Sequence, residues 1–210
     1  MIKKAQRYNH NDPKKEEWNS FWKENNITSF VDRFSEGYDG EIKEFWQQNL
    51  RPEAKFDKII DLGCGNGAIS WLCNEILNRK EGRQKSEIIG IDSADIHPFE
   101  ALNKNPVDFP EVKFIGNTEI EKLPFNDEEI DLAISQWGIE YSNFNSTIQE
   151  LSRALKKDSR IMLVCHTENS SIIDITHKTL ESLYLIIKRE FFNFSIANEF
   201  YFREINRIFV

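Results

Sequence analysis

Apolar positions along the chain change their period near residue 56. Before it, Trp18, Phe21 and Trp22, and then Ile42, Phe45, Trp46 and Leu50, recur every three or four residues. That spacing predicts two amphipathic helices, separated by a loop over residues 27–38. Arg51-Pro52 closes the second, because the residue before a proline disfavours the helical region. From Lys58 onward the apolar residues gather in short continuous runs. They predict strands at 58–62, 87–91, 112–115, 130–135 and 160–165, with helices at 68–78, near 98–102 and at 147–155 between them. Runs of this kind are typical of strands covered on both faces of a parallel sheet. The alternation predicts a doubly wound, mainly parallel α/β sheet with right-handed crossovers and a helical N-terminal extension. The polar stretch 156–159, Lys-Lys-Asp-Ser, is expected to turn into the fifth strand.

Beyond that strand, Ile172, Ile173, Thr176, Leu180, Leu183, Tyr184 and Ile187 form a helical stripe. An aromatic-rich end follows, from Phe191 to Phe209. The expected organisation is a helical extension over 1–55, an α/β core over 56–167, and a helix with an aromatic end over 168–210 belonging to the same domain. Such an end is expected to act as an association surface, for a second copy or a partner chain.

Composition narrows the picture modestly. Charged residues make up 30% of the 210, and the net charge of −8 argues against a general nucleic-acid binder. Three cysteines without a CxxC pair predict reduced thiols and a cytoplasmic protein. The N-terminus has no apolar signal region, and no apolar run approaches membrane-spanning length.

The candidate chemistry lies in Lys58-Ile-Ile-Asp-Leu-Gly-Cys-Gly-Asn-Gly-Ala, a strand, a glycine loop and a helix start. Glycine lets the backbone turn at positive φ and approach a ligand closely, and the helix start offers free N–H groups. Gly63, Gly65 and Ala68 satisfy a dinucleotide fingerprint, with Asp92 following the next strand. An NAD(P)-binding oxidoreductase therefore stays open on the spacing alone.

The fuller string DLGCGNG, with Asp61 before the glycines and Gly67 third, resembles the first motif of class I S-adenosylmethionine (SAM)-dependent methyltransferases. The resemblance runs from Phe56 to Thr167, through IIGIDSAD and FIGNTEIEKLPFNDEEIDLAIS. It implies a Rossmann-like fold and SAM as cofactor. The methionine ammonium and the sulfonium tolerate an acid at Asp61, where a pyrophosphate would be repelled. Implied cofactor-binding residues are Asp61, Gly63, Cys64, Gly65, Asn66 and Gly67 in the loop, and Asp92 and Ser93 at the ribose. Asn117, Thr118 and Glu119 follow at the adenine, with Asn117 standing where the family usually has Asp.

The segment leaving the fourth strand, residues 135–141, is expected to line the methyl-donor pocket. Gln136 could hydrogen-bond cofactor or acceptor, and Trp137 could cover a ring or a cation. Glu140 is the candidate general base, with Tyr141 beside it and His166 past the fifth strand. The alternative is that Trp137 and Tyr141 simply pack and Glu140 is solvated. No Asn/Asp-Pro-Pro-Tyr, Pro-Cys or Thr-Cys stretch is present, which leaves a small molecule or a modified carrier-bound metabolite as the leading acceptor class. Without a carboxylate cluster of the catechol type, no metal site is expected. The N-terminal segment is expected to form a lid, with Trp22, Phe30, Phe34 and Tyr38 as contacts, or else to pack outside the sheet. The family usually ends in two further strands, so the ending here is expected to be shortened or missing. A catalytically silent SAM-fold subunit is the remaining alternative.

Overall fold

A computed structural model describes residues 13–50, 56–79 and 84–166. The chain forms two compact units, Met1–Cys165 and His166–Val210. Of the second unit only His166 is among the described residues, so the expected C-terminal helix, aromatic end and association surface lie outside them. In chain order the first unit contains α1 (Pro13–Lys23), α2 (Val31–Phe34), α3 (Gly40–Asn49), β1 (Lys58–Leu62), α4 (Ala68–Asn78) and β2 (Glu87–Ile91). It continues with α5 (Pro98–Ala101), β3 (Val112–Ile115), β4 (Ile130–Gln136), α6 (Phe144–Ala154) and β5 (Leu155–Val164). The five strands form one parallel sheet in the order β3-β2-β1-β4-β5.

Burial on both faces explains the continuous apolar runs. Ile59, Ile88, Leu132 and Ile134 point to one side and pack with Trp46 and Leu50 of the N-terminal region and Leu72 and Cys73 of α4. Ile60, Leu62, Ile89, Ile91 and Ala133 point to the other side and meet Leu151 and Ala154 of α6. The extension is thus divided. Its α3 face belongs to the core, with Trp46 0% exposed.

Three boundaries differ from the sequence pattern. The loop over 27–38 holds the single turn α2. Helix α6 starts at Phe144, because the Asn143 side chain accepts the Ser146 N–H at 3.1 Å and caps it there. Strand β5 starts at Leu155 rather than Arg160. Leu155 pairs with Ile130 and Arg160 with Leu132, so the polar residues 156–159 are a bulge within the strand, not a turn before it. Among the described residues, no helix is long and apolar enough to cross a membrane, and no group of three or more His, Cys, Asp or Glu could hold a metal ion.

β1 and β4 lie side by side, yet the chain reaches β4 only after passing through β2 and β3 on the other flank. This reversal opens a crevice beyond their carboxyl ends, where ligands of open α/β sheets bind. The two exits cross there at backbone contact. A Cβ on Gly63 would lie 2.7 Å from the Gly138 Cα, and one on Gly138 would lie 2.6 Å from the Leu62 carbonyl oxygen. Ser135 bolts the crossing, donating from Oγ to the Leu62 carbonyl at 2.7 Å and accepting the Ile139 N–H at 3.0 Å. Gly138→Ala is expected to cost about 1–3 kcal/mol, as overpacked sites do. Thermal unfolding should show the loss, while Val107→Ala, at an 81% exposed position, leaves the midpoint unchanged.

Candidate active site

The glycine loop leaves β1 immediately after two buried residues. Asp61 is 2% exposed and accepts the Ser70 hydroxyl at 2.7 Å. Burial is the main cause that pushes its carboxyl up to about 7, against the opposing Ser70 hydrogen bonds, with the Asp92 charge adding to the rise. Gly63 and Cys64 then donate their N–H groups to the Ile91 carbonyl, at 2.8 and 3.1 Å, and hold the loop over the end of β2. Burial keeps the Cys64 thiol well above its ordinary pKa, so it is a protonated packing residue rather than a nucleophile.

Gly65 is the tightest point of the loop. Its φ is +51°, and a Cβ there would fall 2.3 Å from the Trp22 indole. The close approach anticipated for a ligand is used here by α1. Asn66, fully buried, secures that arrangement. Its Nδ2 donates to the carbonyls of Trp22 and Asn26, at 2.9 and 2.7 Å, and its Oδ1 accepts the His97 N–H at 2.8 Å. Asn19 Oδ1 accepts the Asp95 N–H at 2.7 Å as a further tie. Gly67 begins α4 in the left-handed region.

At the end of β2, Asp92 accepts the Gly65 N–H at 2.7 Å through Oδ2 and the Ala94 N–H at 2.9 Å through Oδ1. Burial raises its pKa, and the two amides oppose that rise. A carboxylate has about four lone-pair sites, so acceptor capacity remains beyond these two bonds. Ser93 follows, half-buried. Asn117 and Thr118 lie past β3 and donate their N–H groups to the Ala94 and Asp92 carbonyls, both at 2.9 Å. Contact with a base would therefore come from their side chains rather than from these amides. Asn117 has φ +54°, a conformation asparagine tolerates. Its Nδ2 faces Asp95 Oδ1 at 3.4 Å, where a carboxylate would meet repulsion. Glu119 is exposed beside it.

Beyond β4, Gln136 is 7% exposed and its Oε1 accepts the Trp46 indole N–H at 2.6 Å. Trp137 has φ +54°, rare for a bulky residue and costing about 1–3 kcal/mol. That turn brings its ring against Phe30 at 4.6 Å and Tyr38 at 5.5 Å, both edge-to-face. Glu140 is exposed. Tyr141 is also largely exposed and packs its ring edge-on to Trp18 at 5.6 Å. Partial desolvation, with Glu140 adjacent, holds its phenol above the ordinary pKa and keeps it protonated. His166 opens the second unit, so its catalytic position stays an expectation.

The structure therefore gathers the loop, Asp92, Gln136 and Trp137 at the crevice of the first unit, and it adds residues the motifs do not name. Ser70 is found one turn into α4, and Gly138 lies two residues past β4. Trp46 reads in sequence as a core-facing helix residue, which it is, apart from its indole N–H.

A parallel sheet, a switch-point crevice and a glycine loop between two buried carboxylates define a Rossmann-like fold. Residues 53–201, more than half of the chain, match the methyltransferase-domain family, and the chain belongs to it. No curated protein matches the sequence. Geranyl diphosphate C-methyltransferase from Streptomyces coelicolor, solved with Mg2+, geranyl diphosphate and S-adenosyl-L-homocysteine (SAH), is similar with a TM-score of 0.51 and 17% identity, over 73% of this chain and 65% of that one. The YcgJ protein of Bacillus subtilis is similar with a TM-score of 0.46 and 22% identity, over 59% of this chain and 50% of that one. The chain thus spans half to two-thirds of these structures, and the first likeness shows the fold.

The raised Asp61 pKa has a consequence for stability. The folded state keeps a proton that the unfolded state releases near pH 4, so this contribution is full below pH 4 and lost as the pH rises to about 7. Asp61→Asn keeps an acceptor for Ser70 without the buried charge. It should stabilise the ligand-free protein by about 2–4 kcal/mol at pH 8 and progressively less toward pH 5. Chemical denaturation across that range checks the trend.

Proposed function

We propose that the chain is a SAM-dependent methyltransferase whose cofactor lies over residues 61–67, at the crevice between β1 and β4. The observation that carries this reading is Asp61. A buried carboxylate directly beneath the glycine cradle opposes a pyrophosphate and favours a ligand bearing an ammonium and a sulfonium, which disfavours the NAD(P) alternative. The residues present fit the cofactor through the path of the loop: Gly63, Gly65 and Gly67 turn it at positive φ, with Gly138, Trp22 and Phe114 packed where their side chains would be. Cys64 and Asn66 back the loop. Asp92 retains acceptor capacity for ribose hydroxyls, with Ser93 beside it. Asn117, Thr118 and Glu119 border the place for the base, while Gln136 and Trp137 border the donor end.

When bound, SAM supplies a methyl carbon activated by the neighbouring positive sulfur. Transfer needs alignment and exclusion of water more than a covalent nucleophile. Trp22, Phe30 and Tyr38 supply that cover from the N-terminal segment, which acts as a lid tied down by Asn66. Glu140 would take a proton from an acceptor that must lose one, with Tyr141 beside it as a further proton carrier. A small molecule is the proposed acceptor, since the Asn/Asp-Pro-Pro-Tyr stretch of amino-methylating DNA and glutamine enzymes is absent.

Calorimetry with SAM, SAH and NAD(H) tests the reading. SAM and SAH should bind and NAD(H) should not. Asp92→Ala should weaken SAH about tenfold or more, as expected for lost hydrogen bonds to a charged group. Binding of NAD(H) alone would overturn the proposal, and SAM binding without turnover on a broad acceptor panel would favour a silent partner subunit. Asn66→Ala should speed hydrogen exchange in residues 18–26 and weaken SAH, whereas unchanged exchange would remove its role as the lid's tie.

A further inference from the structure

We propose that Gly90 and Phe114 are positioning residues for the glycine loop: the loop is seated in a notch of the sheet at Gly90, and the Phe114 ring wedges it there. The inference rests on the SAM reading for its affinity readout, and it names residues outside the loop itself.

A glycine inside a strand weakens it, so an interior glycine marks a place where another group comes close. Gly90 lies within β2, buried, and its φ is outside the left-handed region. Conformation does not ask for glycine there; space does. Register aligns it with Asp61 of β1 on one side and Phe114 of β3 on the other, so the three positions share one face of the sheet. It is the face of Ile59 and Ile88, against which α4 packs. The row carries a side chain at either end and a gap at Gly90. Two groups fill the gap: a Cβ at Gly90 would lie 2.6 Å from Phe114 Cδ1 and 2.8 Å from Cys64 Sγ. The thiol of the loop therefore rests on β2, at a height that only a missing side chain allows.

The same ring reaches the far end of the loop. A Cβ at Gly67 would lie 2.5 Å from Phe114 Cε1 and 2.6 Å from its Cζ. One aromatic edge thus spans from β2 to the residue that caps α4. The ring is itself supported, by Trp71 and Phe99 with centroids 5.6 Å away, and the Lys104 ammonium lies 5.0 Å over the Trp71 ring. Between the two contacts the loop carries the Gly65 N–H, which Asp92 Oδ2 accepts at 2.7 Å. Close-packed interiors transmit such displacements rather than absorb them. A side chain at position 90 would lift Cys64 and push the ring outward, and loss of the ring would let the start of α4 settle toward β2. Either change shifts the loop against Asp92.

The test measures SAH affinity by calorimetry and hydrogen exchange without ligand, both on the full chain. Gly90→Ala adds a methyl group to filled space and should weaken SAH about tenfold. Phe114→Val removes the wedge and should weaken it about threefold. The double variant, which takes away the Phe114 Cδ1 contact, should bind SAH about threefold more tightly than Gly90→Ala alone. Exchange should quicken in residues 61–67 of either single variant while β4 keeps its rate. A merely structural role predicts the opposite: losses that add in the double variant, and faster exchange across the whole sheet. Either of those results overturns the inference, as does unchanged SAH affinity in both single variants. Phe114→Val replaces a half-buried ring with a residue that favours strands, so its fold is the safer, checked by its unfolding midpoint. If Gly90→Ala does not fold, Phe114→Val decides by its exchange at residues 61–67, and an unchanged rate there overturns the inference. If the wild type binds no SAH, the SAM reading fails and the exchange pattern alone decides whether Gly90 and Phe114 seat the loop.

Discussion

Backbone crowding where β1 and β4 end side by side governs the rest of this molecule. Gly63 and Gly138 touch main chain to main chain, with the Ser135 hydroxyl bridging the two exits. Because no side chain fits between them, the loop after β1 is pressed back over β2, where Ile91 receives its first two amides. Asp92 then reaches across to the Gly65 amide. The chain leaving β4 must turn away abruptly, and Trp137 does so in the left-handed region. Its strain is supported by a main-chain bond to the Val164 carbonyl at 2.9 Å and by Phe30 and Tyr38 around the ring. Strain of this kind persists only where the surroundings over-determine it, and here they lie at the mouth of the crevice.

The N-terminal region does two different jobs with one amphipathic pattern. In α3, Trp46 completes the apolar layer under β1 and β4 and also fixes the amide of Gln136. In α1, Trp22 lies on Gly65, stacked with Trp18 at 5.7 Å, and its backbone is gripped by Asn66. The first is core packing that would cost the fold to remove. The second joins the buried Trp22 ring to polar ties, from Asn66 to the Trp22 and Asn26 carbonyls and from the Asp95 N–H to Asn19. On the function proposed here, α1 rather than α3 is the element that would cover the cofactor.

How much of this could be read from the chain follows from what each feature depends on. Strand positions were legible because burial on two faces leaves continuous apolar runs, and the loop was legible because glycine and Asp61 mark it chemically. Residues 156–159 look like a turn because polar residues in a row carry no sign that the strand resumes on both sides of them. Asn66 reads as part of a ligand motif, while its three hydrogen bonds go to groups distant in sequence. Nothing local announces that Trp46 and Gln136, ninety residues apart, share a bond. Conformation also hides from composition: Trp137 has no residue type that favours a positive φ, so only the crossing beside it explains the turn.

Asp61 connects these levels. Its burial opposes ionisation, and Ser70 offsets part of that penalty with hydrogen bonds. A cation built into the protein at that point would relieve the penalty permanently and would also occupy the crevice. On the function proposed here, leaving the carboxylate without one keeps the relief for the positive end of SAM. The cost to the empty protein and the affinity for a cationic ligand then have the same origin, because charge–charge attraction grows as water is excluded. A site that is mildly unfavourable when empty and compensated when filled shows the usual exchange of stability for function. The crossing of Gly63 and Gly138 sets where β1 ends and where the loop begins, just after that carboxylate.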